Sequence, residues 1–125
     1  MGLGEAFAEV GVILRRNPDR VVGPDAAFVA KDSLPVRMSP EGYLETIPEL
    51  AIEVRSKNDS VAELESKAHE HLETGVQLVW VVDPSVKTVT VYRATGKPQE
   101  LRAGDKLTAE PALPGFHCAV SELFA

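Results

Sequence analysis

The chain has 125 residues, 44% apolar and 26% charged, which fits one soluble globular domain with enough length to bury a core unaided. Its formal net charge of −6 argues against a protein that coats nucleic acid electrostatically, since phosphate binding on that scale needs clustered Lys and Arg. The single cysteine, Cys118, excludes an internal disulfide; Glu5 and Glu9 stand where a secretion signal would be apolar, and no apolar run approaches the ~20 residues of a membrane span, so a cytoplasmic setting is expected.

Residues 5–14, EAFAEVGVIL, alternate loosely and predict a first strand. RRNPDR follows, with Asn17-Pro18-Asp19 as a turn signal. PDAAFVA, 24–30, predicts a short second strand, so the chain opens with an antiparallel hairpin. The next stretch, KDSLPVRMSPEGYLETIP, has three prolines in a polar context and reads as a loop of 18 residues, long for a compact domain. Two small basic groups, Arg15, Arg16 and Arg20, then Arg55 and Lys57, read as solvated surface.

A third strand is expected over about 49–56, within PELAIEVRSKND. A helix over 60–74 follows: Ser60 and Glu63 have capping-box spacing, Val61, Leu64, Ala68 and Leu72 make an apolar stripe, and Gly75 marks the stop. QLVWVV, 77–82, is a continuous apolar run and predicts the central strand, with Trp80 inside the sheet. Asp83-Pro84-Ser85 turns the chain, and TVTVYR, 88–93, returns as an antiparallel strand. The remainder predicts loop and short elements closing over the core. A strand–helix–strand unit implies a parallel pair joined by a right-handed crossover. The fold class expected is therefore α/β: one domain over 1–125, a mixed sheet and one main crossover helix.

Within the third strand, alternation puts Leu50, Ile52 and Val54 on one face and Glu49, Ala51, Glu53 and Arg55 on the other. The second set is not an ordinary core face. A structural reading makes it half-solvated, with Glu53 paired to Arg55 or a neighbour. A chemical reading needs a second carboxylate, and Asp25 supplies it if the second and third strands pair. Two carboxylates with waters and a phosphate oxygen suit Mg²⁺. Other residues carry weaker signals. His69 and His71 diverge by roughly 200° on a helix and make no metal pair; His71 reads as packed or flanking the site. Trp80 and Tyr92 read as core or sheet-face residues, and Cys118 as a buried small hydrophobe.

PDAAFVAKD, PEGYLETIPELAIEVRSKND, ESKAHEHLETGVQLVWVVDPSVKTVTVYR and LPGFHCAVSELF, in this order, resemble the Uma-type family of restriction-endonuclease-like proteins, within the PD-(D/E)XK nuclease superfamily. The resemblance runs from about Gly2 to Phe124 and implies a restriction-endonuclease-like fold. It implies catalytic roles for Asp25, Glu53 and Lys67, with Asp25 and Glu53 holding Mg²⁺ or Mn²⁺ for phosphodiester hydrolysis of DNA. Arg55 stands two residues after Glu53, where the superfamily pattern has lysine; an arginine is never deprotonated and cannot help activate water. Lys67, on the following helix, matches the family's displaced lysine. Relatives often have proline where this chain has Lys57 and aspartate where it has Glu49. They usually carry a further N-terminal helical segment that has no counterpart here. That difference and the acidic charge support an alternative: a non-catalytic, self-associating or partner-binding module on the same fold. A homodimer is expected in either case.

Overall fold

The computed structural model describes residues 4–8, 12–15, 20–22, 24–40, 43–110 and 115–124. Strands β1 (Gly4–Ala8), β2 (Val12–Arg15), β3 (Arg20–Val22) and β4 (Ala26–Ala30) form the N-terminal part. β1 pairs antiparallel with β4, and β2 with β3. The two pairings share one register: Ala8 faces Ala26, and four residues further Val12 faces Val22. The single first strand expected over 5–14 is therefore described as two, and β3 is an added strand. Residues 9–11 and the Asn17-Pro18-Asp19 turn lie outside the described residues.

After the long loop come β5 (Leu50–Val54), helix α1 (Val61–Glu73), β6 (Leu78–Asp83) and β7 (Thr88–Arg93). Short strands β8 (Gln99–Leu101), β9 (Lys106–Thr108) and β10 (His117–Ala119) follow. The main sheet has six strands in the order β1-β4-β5-β6-β7-β8. β5 and β6 are parallel, Leu50 facing Leu78 and Val54 facing Val82, and every other pair in the sheet is antiparallel. This is the mixed α/β sheet the sequence predicts.

Local chemistry sets the limits of α1. The Ser60 hydroxyl accepts from the Glu63 N–H at 3.0 Å, and the Glu63 carboxylate accepts from the Ser60 N–H at 3.2 Å. This capping box satisfies two N–H groups at the helix start. At the other end the Thr74 hydroxyl donates to the His71 carbonyl at 2.8 Å. Gly75 then takes φ +112°, a left-handed conformation that glycine adopts without strain.

Both sheet faces are covered. On one, Leu64 and Ala68 of α1 pack on Ala51, Val79, Val81 and Tyr92. On the other, Leu50, Leu78, Trp80, Val82, Val89 and Val91 pack under Leu107, Ala109 and Val120 of the C-terminal segment. β6 contributes to both cores, which explains its continuous apolar run. Cys118 packs half-buried at the margin of the second core; burial, then the Glu122 charge, pushes its thiol pKa up. No helix among the described residues is long and apolar enough to cross a membrane.

Candidate active site

β4 and β5 pair antiparallel as far as Ala26 opposite Ile52, and Asp25 immediately precedes β4. Continued by one residue, that register runs from Asp25 to Glu53, on the face that carries Ala27 and Ala51. Asp25 is exposed, and its Oδ2 accepts the Val54 N–H at 2.6 Å. The aspartate is thus fastened to the backbone of β5 one residue beyond Glu53.

Glu53 itself is only 3% exposed, because α1 lies over its face of the sheet. Its Oε2 is 3.4 Å from Nε2 of His71, which is fully buried. Of the structural reading, Glu53 is paired to a neighbour, His71, and not to Arg55, and Glu53 itself is buried while Glu49 and Arg55 on the same face stay half-exposed. Arg55 turns instead to Asp83 at the end of β6, with Nη1 to Oδ2 at 3.1 Å. The Asp83 carboxyl is held below its ordinary pKa, first by the hydrogen bond from the Ser85 hydroxyl, then by the Ser85 N–H and Arg55, with burial opposing them.

Lys67 lies three residues after Leu64 and four before His71, on the edge of the helix stripe that faces the sheet. It is half-buried and makes no hydrogen bond or ion pair with Asp25 or Glu53. Its charge does reach Asp59, whose carboxyl is lowered mainly by hydrogen bonds from Ser56 and to a lesser extent by Lys67 and Arg55. The fold thus fastens Asp25 to the strand that carries Glu53 and puts Lys67 one helical turn from the histidine that touches Glu53.

The donor set was tested against a hard divalent cation. Asp25 commits Oδ2 and Glu53 commits Oε2; among the described residues, Asp25 Oδ1 and Glu53 Oε1 accept no hydrogen bond. No group of three or more His, Cys, Asp or Glu suited to a metal occurs among the described residues. Two carboxylate oxygens, with the remaining positions left to water and substrate, fit Mg²⁺ or Mn²⁺ and do not make a closed structural zinc site.

Beyond Glu53 the sheet continues the same face. Glu53 faces Val81, Val81 faces Thr90 and Thr90 faces Glu100. Beside this row, between the start of α1 and the β6–β7 turn, a cleft of about 210 Å³ opens. Arg55, Asp83, Thr88, Thr90 and Tyr92 line it, with Val61, Leu64, Val81 and Val86.

Reasoning from the sequence left two relationships unpaired. His71 is seven residues after Leu64 and three after Ala68, a buried helical row that flags a histidine aimed at the sheet. Asp83 shares its strand face with Val81, and Arg55 shares its face with Glu53, so the parallel register of β5 and β6 carried that signal.

Residues 1–121 match the Uma2 family, described as putative restriction endonuclease. No curated protein is significantly similar to the chain. Among solved structures, a putative nuclease belonging to DUF820 from Anabaena variabilis matches with a TM-score of 0.79 at 21% identity, over 98% of this chain and 69% of that one. That likeness concerns the fold.

Proposed function

Since the chain belongs to the Uma2 family of restriction-endonuclease-like proteins, we propose that it is a metal-dependent nuclease that hydrolyses phosphodiester bonds of DNA. The observation that supports this reading is the Val54 N–H donating to Asp25 Oδ2 at 2.6 Å, which fastens Asp25 to β5 one residue beyond Glu53. Asp25 and Glu53 would hold Mg²⁺ or Mn²⁺. Bound there, the ion supplies Lewis acidity toward a phosphate oxygen and lowers the pKa of a coordinated water.

The protein's own groups have distinct tasks in this proposal. The Val54 N–H anchors one oxygen of Asp25 and His71 faces one oxygen of Glu53, which fixes the orientation of both carboxylates before substrate arrives. Lys67 brings a flexible ammonium to the same flank of the helix, where it can stabilise charge developing on the phosphoryl oxygens. Arg55 cannot serve as a base, and its pairing with Asp83 gives it a structural task. The catalytic residues proposed are therefore Asp25, Glu53 and Lys67.

The test is cleavage of plasmid and single-stranded DNA with Mg²⁺ or Mn²⁺ against a chelator control. Metal-dependent cleavage that Lys67→Ala abolishes is expected. Failure of the complete gene product to cleave either substrate would favour a binding module on the same fold.

A further inference from the structure

We propose that the cleft between the start of α1 and β7 is a binding site for a single unpaired nucleobase, adjoining the phosphate held at Asp25 and Glu53. The inference rests on the nuclease reading for the placing of that phosphate; the cleft itself is argued from its own walls.

Position comes first. The row Glu53, Val81, Thr90, Glu100 crosses four neighbouring strands on one face. Strands lie ~4.8 Å apart, so Thr90 stands about 10 Å from Glu53 across the sheet. That span suits the step from a phosphate to the base of an adjacent nucleotide. All the sheet residues that line the cleft, Val81, Asp83, Thr88, Thr90, Tyr92 and Glu100, belong to the face that carries Glu53.

Charge comes next. The rim charges are already matched: Arg55 with Asp83 at 3.1 Å, and Glu100 with Arg102 at 3.1 Å. A cleft whose cation is committed to a carboxylate is poorly suited to a bare phosphate. Its remaining lining is the apolar Val61, Leu64, Val81 and Val86 with Thr88, Thr90 and Tyr92, residues whose hydroxyls can donate or accept. A neutral heterocycle with apolar faces and a polar edge matches that surface.

Exposure and size narrow the occupant further. Val61, in the first turn of α1, is 57% exposed, and Val86, in the β6–β7 turn, is 64% exposed. Both line the cleft, so its mouth offers apolar surface to water. The volume of about 210 Å³ is below the ~300–1,000 Å³ typical of clefts for drug-sized ligands and suits one ring system. A base inside a duplex cannot enter, so single-stranded or locally opened DNA is the form that fits. Rotatable hydroxyls read no unique donor pattern, so the site should tolerate different bases.

The experiment titrates the uncharged nucleoside thymidine into the methyl-labelled protein without metal and follows the valine methyl resonances. Saturable shifts at Val61, Val81 and Val86 are expected, with no such response to free deoxyribose. Thr90→Phe, which fills the cleft, and Val86→Asp, which places a charge at its exposed mouth, should each weaken binding at least tenfold. Two variants are used so that one folding failure does not decide the result. Absence of saturable shifts in the wild type, or wild-type affinity in both folded variants, overturns the proposal. The probe needs neither metal nor cleavage, so the two readings separate. Cleavage of DNA without nucleoside binding sinks the cleft alone, and nucleoside binding without cleavage sinks the nuclease reading alone.

Discussion

Nε2 of His71 lies 3.4 Å from Oε2 of Glu53, and both side chains are closed off from solvent. Helix and sheet thus meet at a polar contact inside an otherwise apolar interface of Leu64, Ala68, Ala51 and Val81. Among the described residues His71 Nδ1 is buried without a hydrogen-bond partner, and Nε2 is the ring nitrogen that meets Glu53. A buried carboxylate with so few partners is costly unless a further group, such as a cation, completes it.

Removal of the histidine should therefore be felt through Glu53. His71→Leu leaves the carboxylate buried beside an apolar group and should destabilise the fold by about 1–3 kcal/mol. Urea unfolding of His71→Leu, Glu53→Gln and the double variant checks this. A coupling above ~0.5 kcal/mol is expected, since residues in contact are non-additive. Strict additivity would mean that the contact carries no energy.

Trp80 tests the other core. It is 3% exposed, faces Ile52 on β5 and Val91 on β7, and its ring centroid is 6.0 Å from that of Phe116. Trp80→Ala should cost roughly 3–5 kcal/mol. The indole N–H has no hydrogen-bond partner among the described residues, so Trp80→Phe loses volume but no such bond and should cost clearly less. Denaturant midpoints of both variants provide the comparison.

The Asp83 carboxyl gives a pH prediction with a defined sign. Its pKa is lowered in the folded protein, with the Ser85 hydroxyl as the largest cause. A lowered carboxyl contributes stability that is fully present above its unfolded pKa of ~3.9 and is lost as pH falls through the folded value. Ser85→Ala should move the Asp83 titration midpoint upward, and Arg55→Ala should move it upward by less. Carboxyl carbon chemical shifts followed from pH 7 into the acid range measure both. A midpoint unchanged in Ser85→Ala would contradict the assigned cause.

A homodimer is a further expectation. Met38, Tyr43 and Leu123 are between 39% and 45% exposed, and they would favour self-association if they join into one apolar patch. Light scattering at rising concentration should report twice the 13.5 kDa chain mass. A monomer throughout would remove the dimer from the proposal.

Much of this fold was legible from local chemistry. The Ser60–Glu63 spacing, the Leu64–Ala68 stripe and Gly75 fix α1 within a residue at each end, and Thr88–Arg93 is bounded by its own alternation. The continuous apolar run of β6 reads correctly because both of its faces are covered. β3 was not legible, because its three residues are too few to show an alternation of their own. At the site, alternation along β5 singled out Glu53, and Asp25 was its candidate partner on the condition that the second and third strands pair, as β4 and β5 do. The partners of Glu53 and Arg55 were not legible. Glu53 meets a histidine 18 residues away across a helix–sheet interface, and Arg55 meets Asp83 28 residues away, distances that only the tertiary fold closes.

Thermal melts across a Mn²⁺ titration test the proposal that Asp25 and Glu53 together hold one divalent cation. Two facing carboxylates repel when no metal is bound, and an ion that binds only the folded state stabilises it by mass action. The wild type should gain about 2.7 kcal/mol at a hundredfold excess over Kd. Glu53→Gln, nearly isosteric but uncharged, should fold and lose that gain, whereas Lys67→Ala should keep it. A wild-type melting temperature that does not move with Mn²⁺, or one that moves equally in Glu53→Gln, would contradict the claim.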